Sequence, residues 1–289
     1  MKNILITGAN GQLGNEMRKL LNTNSLFNTF YTDINELDIS DSNAVNDFVI
    51  NNNIGYIINC AAYTAVDDAE DNRELCSRIN TTAVENLAKA ASLIGAKVIH
   101  ISTDYVFDGK GNTPYKETDL INPQSVYGKT KAEGEKKLIE IIPNDYIIIR
   151  TAWLYSKFGK NFVKTMLELG RTRNHINVVS DQIGSPTYAG DLANAIYTII
   201  TTEKWIPGIF HFSNEGVCSW YDFTKSIHQI AGINSCIVTP IPTADYPTKA
   251  KRPAYSVLDK SKIKDIYKVN IPYWEDSLKK CIRELENNI

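Results

Sequence analysis

Ile4-Leu5-Ile6-Thr7-Gly8-Ala9-Asn10-Gly11-Gln12-Leu13-Gly14 reads as a short apolar strand, a glycine-spaced turn and the start of a helix. The helix follows from Leu13, Met17, Leu20 and Leu21, which recur at helical spacing. Gly8 permits a tight turn, Gly11 lets a pyrophosphate approach the backbone, and Gly14 allows close helix–strand packing. The helix N-terminus then faces the anion. The spacing is GxxGxxG rather than the GxGxxG of many dinucleotide folds, so a turn-rich loop is the competing reading. Its place directly after the first strand favours the nucleotide, which makes Gly8, Asn10, Gly11, Gln12, Leu13 and Gly14 candidate cofactor contacts.

Moving outward, Phe30-Tyr31-Thr32-Asp33 reads as a second strand, ending in an acid about 20 residues beyond the glycine turn. A carboxylate there suits adenosine ribose hydroxyls. Asp38 and Ile39 follow as candidates near the adenine, and Ser40 or Asp41 is placed to cap the next helix. Tyr56 to Ala62 reads as a buried third strand, whose small C-terminal residues Ala61 and Ala62, with Tyr63, let a ligand lie close above it. A long helix is expected with Cys76, Ile79, Ala83, Leu87 and Ala90 on one stripe, stopped by Gly95. Val98 to Thr103 is a fourth strand ending in two hydroxyls; His100 within it reads as a satisfied core residue rather than a ligand. Strand–helix alternation with near-continuous apolar strands implies an α/β fold, a Rossmann-like doubly wound parallel sheet. Ligands of such sheets sit beyond the carboxyl ends of the strands, where the glycine turn, Asp33, Ala61-Ala62 and Ser102-Thr103 would meet.

Ser125-Val126-Tyr127-Gly128-Lys129-Thr130-Lys131 opens the next helix, capped by Ser125 and ended by Pro143. Tyr127 and Lys131 are four residues apart and share one face. A lysine cation near a phenol favours the phenolate and is expected to lower the tyrosine pKa, suiting the pair to acid–base work. The same spacing recurs at Tyr221/Lys225. Only Tyr127/Lys131 belongs to a continuous inward stripe (Tyr127, Lys131, Gly134, Leu138, Ile141) beside a hydroxyl-tipped strand, and Tyr221/Lys225 is read as structural.

Beyond a fifth strand, Tyr146 to Thr151, turn signals grow denser. The expected division is a dinucleotide-binding domain over 1–155 with returning segments near 188–213, and a smaller C-terminal substrate-binding lobe from 156–187 and 214–289. Net charge of −2 gives no reason to expect nucleic acid as a partner. Five scattered cysteines without a CxxC pair suit reduced thiols and argue against a disulfide framework or zinc. The lack of a signal peptide or of an apolar run near 18 residues reads as a cytoplasmic protein without membrane contact.

The glycine triplet, Ser102-Thr103 and Tyr127 to Lys131 together resemble the extended short-chain dehydrogenase/reductases. More narrowly, Ser102-Thr103-Asp104-Tyr105-Val106-Phe107, Arg150-Thr151-Ala152-Trp153, Asp181 to Thr187 and Arg252-Pro253 resemble the dTDP-4-dehydrorhamnose reductases. The resemblance runs nearly end to end. It implies reduction by a nicotinamide of the 4-keto group of dTDP-6-deoxy-L-lyxo-4-hexulose, in dTDP-rhamnose biosynthesis. Thr103, Tyr127 and Lys131 would be catalytic, with Ser102, Tyr127 and Lys131 also touching cofactor. Asp104, Tyr105 and Trp153 would line the sugar pocket, a core aromatic being the other reading of Trp153, and Arg252 would hold the diphosphate.

Asp33 should repel a 2′-phosphate, and no Arg or Lys lies in 8–16 or 32–40 to offset it, so the residues lean toward NADH. The resemblance brings NADPH as well, and both are expected. Some members of the group dimerise around a divalent metal through acids such as Glu16. Tyr188-Ala189-Gly190 departs from an acidic partner, so no metal is expected, and the chain is either monomer or homodimer. The rivals are another nucleotide-sugar epimerase or reductase, a 4,6-dehydratase lacking its usual acid at Tyr105, and a non-catalytic NADP-binding regulatory subunit.

Overall fold

The computed structural model describes residues 2–23, 26–202 and 204–286. Its central sheet has six strands: β1 (Lys2–Thr7), β2 (Phe27–Thr32), β3 (Ile54–Asn59), β4 (Lys97–Thr103), β5 (Tyr146–Thr151) and β6 (Gly208–His211). The order is β6-β5-β4-β3-β1-β2 and every neighbouring pair is parallel. The chain steps outward from β1 to β2, then crosses back to place β3 on the other side of β1. That reversal opens a crevice at the carboxyl ends of β1 and β3. The expected doubly wound parallel sheet is therefore the fold that forms.

The longer helices are α1 (Gln12–Leu21), α2 (Ser42–Asn51), α3 (Ala83–Ile94), α4 (Val126–Ile141), α5 (Phe162–Thr172), α6 (Ala189–Thr201), α7 (Trp220–Ile230) and α8 (Trp274–Glu286). Strand side chains alternate between the faces. Ile4, Ile6, Ile58, Ile147 and Ile149 pack with Met17 of α1 and Leu192 and Ile196 of α6. Leu5, Ile57, Val98 and Ile148 meet Val45 of α2, Leu87 of α3 and Leu138 of α4 on the opposite face. Each fully buried Ile or Leu contributes about 1.5–3 kcal/mol relative to exposure, which is why these strands read as almost unbroken apolar runs. A third core gathers Val163 and Leu167 of α5, Phe223 and Ile227 of α7 and Leu278 and Cys281 of α8.

The helix ends follow their sequence signals. Asp41, the second of the two residues considered, caps α2 through the amides of Asn43 and Ala44. The Ser125 hydroxyl accepts from the Gly128 amide, and Gly95 ends α3 at φ +68°. One helix differs from expectation. The stretch read as continuous from Cys76 is split into Arg73–Ser77, a π-helical turn at Arg78–Thr82, and α3. The wider turn inserts a residue into the stripe, so Asn80 rather than Ile79 is fully buried.

Candidate active site

At the crevice Gly8 adopts φ +63°, and a Cβ on it would lie 2.7 Å from the Ala61 backbone. A Cβ on Gly14 would lie 2.4 Å from the Gly8 carbonyl oxygen. Only residues without side chains let the turn, the first turn of α1 and the end of β3 close together. Gly11 is the N-cap of α1, with no side-chain cap and no acid in the first turn, so the amides of Gln12, Leu13 and Gly14 suit a diphosphate. The Asp33 carboxylate accepts from the Asn10 amide at 3.0 Å, which brings the acid beside the glycine turn. Asp38 is exposed and Ser40 hydrogen bonds hold its carboxyl below the usual range, while Ile39 is buried under α2. Tyr63 is clamped by Asn80, which accepts from its amide at 2.9 Å and donates to its carbonyl at 3.1 Å. The residues present thus fit a dinucleotide.

The acid–base residues meet where β4 runs into α4. A Cβ on Gly128 would lie 2.2 Å from the Tyr105 carbonyl oxygen, so the first turn of α4 rests directly on the turn after β4 and sets Tyr127 against Thr103. The buried Thr103 hydroxyl donates to Asp104 Oδ1 at 2.9 Å and accepts from the Tyr105 amide at 3.1 Å. Lys131 is 1% exposed; its Nζ donates to the Ile101 carbonyl at 2.6 Å and lies 3.1 Å from His100 Nε2. Burial pulls Lys131 down to about 8, opposed by Glu135 and Cys76. For Tyr127 the expected direction is overturned. Burial raises its phenol above the ordinary value, with Asp104, Tyr105 and Cys76 adding to the rise and Thr103 opposing it. Removal from water outweighs the charge one helical turn away, so Tyr127 is a protonated donor at neutral pH.

Asp104 is buried, its Oδ2 lacks a partner, and burial pushes its carboxyl up to about 7. The Tyr105 ring meets the Tyr127 ring edge-on at 5.5 Å, and the Tyr105 hydroxyl accepts from Arg252 Nη1 at 3.0 Å. Arg252 also pairs with Asp67, so its guanidinium already carries a carboxylate. Trp153 adopts φ +51°, stacks on Trp220 with centroids 3.5 Å apart, and lies against Gly184, where a Cβ would come within 2.7 Å of its ring.

Ser102 does not join this group. Adjacent strand residues face opposite sides, so its hydroxyl turns away from Thr103 and donates to Glu135 at 2.5 Å. Glu135 is held by Arg150 at 2.6 and 2.9 Å, a fully buried ion pair that sequence reading missed because its partners come from α4 and β5. Arg18 was missed by two residues. Its guanidinium reaches back to Asn10 Oδ1 at 3.4 Å and lies over Tyr31, placing a cation beside the turn that Asp33 borders. Glu16, Tyr188 and Gly190 line one cleft, and the Glu16 carboxylate accepts from the Ser156 hydroxyl at 2.8 Å. Among the described residues no helix is long and apolar enough to cross a membrane.

The family model described as "RmlD substrate binding domain" matches residues 1–287. The chain belongs to the RmlD family. An RmlD relative from Aggregatibacter actinomycetemcomitans, a dTDP-4-dehydrorhamnose reductase, is 44% identical over 96% of this chain and 98% of its own length. The structure of a dTDP-4-dehydrorhamnose reductase from Clostridium acetobutylicum has 45% identity and a TM-score of 0.94, covering 98% of this chain and 99% of that one. That of the Bacillus anthracis dTDP-4-dehydrorhamnose reductase in complex with NADP has 41% identity and a TM-score of 0.94, over 98% and 100%. RmlD membership accords with the motif resemblance and with the extended reductase fold.

Proposed function

We propose that this chain reduces dTDP-4-dehydro-L-rhamnose (dTDP-6-deoxy-L-lyxo-4-hexulose) to dTDP-L-rhamnose, using NADPH or NADH. The observation that carries the reading is Tyr127, kept protonated by burial, beside Thr103 and Lys131 in the crevice bordered by an uncapped glycine-turn helix. When bound, a reduced nicotinamide supplies the hydride.

Tyr127 delivers its phenolic proton to the oxygen of the reduced carbonyl. An alkoxide is a stronger base than a phenolate, so transfer is downhill even from a phenol raised by burial. A positioned acid of this kind contributes roughly 10²–10⁴-fold. Thr103, whose own proton goes to Asp104, accepts from the Tyr127 phenol, and Lys131 grips the nicotinamide ribose. Gln12, Leu13 and Gly14 amides bind the diphosphate of the cofactor, and Asp33 the adenosine ribose. Arg18 beside Asn10 offsets Asp33 and makes room for a 2′-phosphate, so NADPH is accepted despite the acid. Asp104, Tyr105 and Trp153 hold the sugar, and Arg252 exchanges Asp67 for the substrate diphosphate. In this reading 1–155 with 188–213 binds the dinucleotide, 156–187 with 214–289 holds the sugar nucleotide, and the enzyme works in the cytoplasm.

The test is purified protein, NADPH and dTDP-4-keto-sugar, followed by absorbance and by mass spectrometry of the product. One NADPH consumed per dTDP-rhamnose formed is expected. Sugar conversion without net NADPH consumption, the behaviour of an epimerase, or cofactor binding without any turnover would overturn the reading.

A further inference from the structure

Trp153 is held in a backbone conformation that its own side chain disfavours. β5 ends at Thr151, and Leu154–Tyr155 then pairs with Thr187–Tyr188, so the chain is fixed on either side. The Thr187 amide also donates to the Trp153 carbonyl at 3.1 Å. Between these anchors Trp153 takes φ +51°, a region that glycine enters freely and a bulky residue does not. Such strain persists only where the surroundings over-determine it.

The surroundings here form a clamp. One face of the indole lies on Trp220, with ring centroids 3.5 Å apart and planes 11° from parallel. Unconstrained aromatic pairs favour offset or edge-on contacts at about 4.5–7 Å, so this overlap is imposed by the framework. The other jaw is Gly184, where a Cβ would meet the ring at 2.7 and 2.8 Å, so only bare backbone fits. The two jaws are joined, because Ile183–Gly184 pairs antiparallel with Cys218–Ser219, the residues directly before Trp220. Ser219 and Asp222 form a capping box at the start of α7, and Phe162 of α5 packs on the Trp220 ring with centroids 4.5 Å apart. Both indoles remain only half-buried, so the stack is not core filling. Gly184 also adjoins the hydroxyl of Ser256, the neighbour of the Asp104 carboxyl, which puts the clamped ring at the border of the sugar subsite.

We propose that Trp220 is a positioning residue: with Gly184 it clamps Trp153, so that this wall of the sugar subsite is formed before substrate arrives. The inference rests on the place given to Trp153 in the reading above. Without Trp220 the strained residue relaxes, and only a fraction of the molecules present the binding-competent wall. Apparent affinity for the sugar nucleotide falls by that fraction, while proton transfer from Tyr127 in the bound complex is unaffected.

The first experiment is circular dichroism of the whole protein, since two stacked indoles couple their transitions and give an exciton couplet. The couplet is expected without ligand, should persist at saturating dTDP-rhamnose, and should vanish in both Trp220→Phe and Trp153→Phe. A couplet that is absent, or that appears only with ligand, would overturn the preformed clamp whatever the enzyme turns over. An inactive protein with an intact couplet would instead overturn the reading above. The second arm is kinetic. Trp220→Leu should raise KM for dTDP-4-keto-sugar by roughly 10-fold, with kcat and the NADPH dissociation constant held within about twofold. Trp220→Phe keeps a flat ring and should hold KM within about threefold of the parent. In a Trp153→Ala background, Trp220→Leu should add less than about twofold. An equal rise in that background, or a loss of kcat and NADPH affinity in step with KM, would overturn the coupling to Trp153.

Discussion

Replacing Tyr127 by Phe deletes one hydroxyl and leaves the packing of its ring on Tyr105 in place. The neighbour most exposed to the loss is Thr103, which keeps Asp104 Oδ1 at 2.9 Å and the Tyr105 amide at 3.1 Å, so no buried polar atom is orphaned. The fold should change in stability by less than about 1 kcal/mol. Catalysis loses its positioned proton, a factor of roughly 10²–10⁴, equivalent to about 3–5 kcal/mol in the barrier. Steady-state NADPH oxidation with dTDP-4-keto-sugar gives kcat, and fluorescence titration gives the cofactor dissociation constant. The first should collapse while the second stays within about twofold. A variant retaining kcat within tenfold of the parent would refute the assignment of the proton to this phenol.

Arg18→Ala should weaken NADPH by roughly 10- to 100-fold, as expected for a lost charge-assisted bond, and leave NADH nearly unchanged; parallel KM measurements decide it. Glu135→Gln leaves the buried Arg150 without its counter-charge, and urea unfolding should show a loss of about 3–5 kcal/mol. Burial, reinforced by Arg150, pulls His211 down to about 3. The unfolded chain takes up that proton below about pH 6.5 while the folded one refuses it. Its stabilising contribution is therefore complete above pH 6.5 and lost as pH falls toward 3. Unfolding midpoints measured down this range should decline less steeply in His211→Gln.

The sheet and the glycine turn were legible because they rest on local chemistry: unbroken apolar strands, a three-glycine seam, and caps at Ser125 and Gly95. Tyr127 and Lys131 were legible because one helix carries both. What escaped depends on neighbours distant in sequence. Glu135 meets Arg150 and Ser102 across three elements, and no spacing announces such a group. Ser102 was misplaced because two adjacent hydroxyls look alike in a string, whereas a strand sends them to opposite faces. The π turn at Arg78–Thr82 was hidden because apolar residues continue through it at near-helical spacing. The sign of the Tyr127 shift failed for another reason: a charge can be read from sequence, but the loss of water around it is a property of the whole fold. His100 was correctly read as a satisfied buried residue, its two ring nitrogens meeting Asn59 on one side and Lys131 on the other.

Gly8, Gly14 and Ala61 touch through backbone atoms alone, and main chain, unlike a flexible side chain, has nowhere to retreat. Any side chain grown at either glycine meets a wall belonging to the other or to the end of β3. The two glycines are thereby bound into one unit of inheritance: neither can gain a side chain unless the main chain beside it moves in the same step.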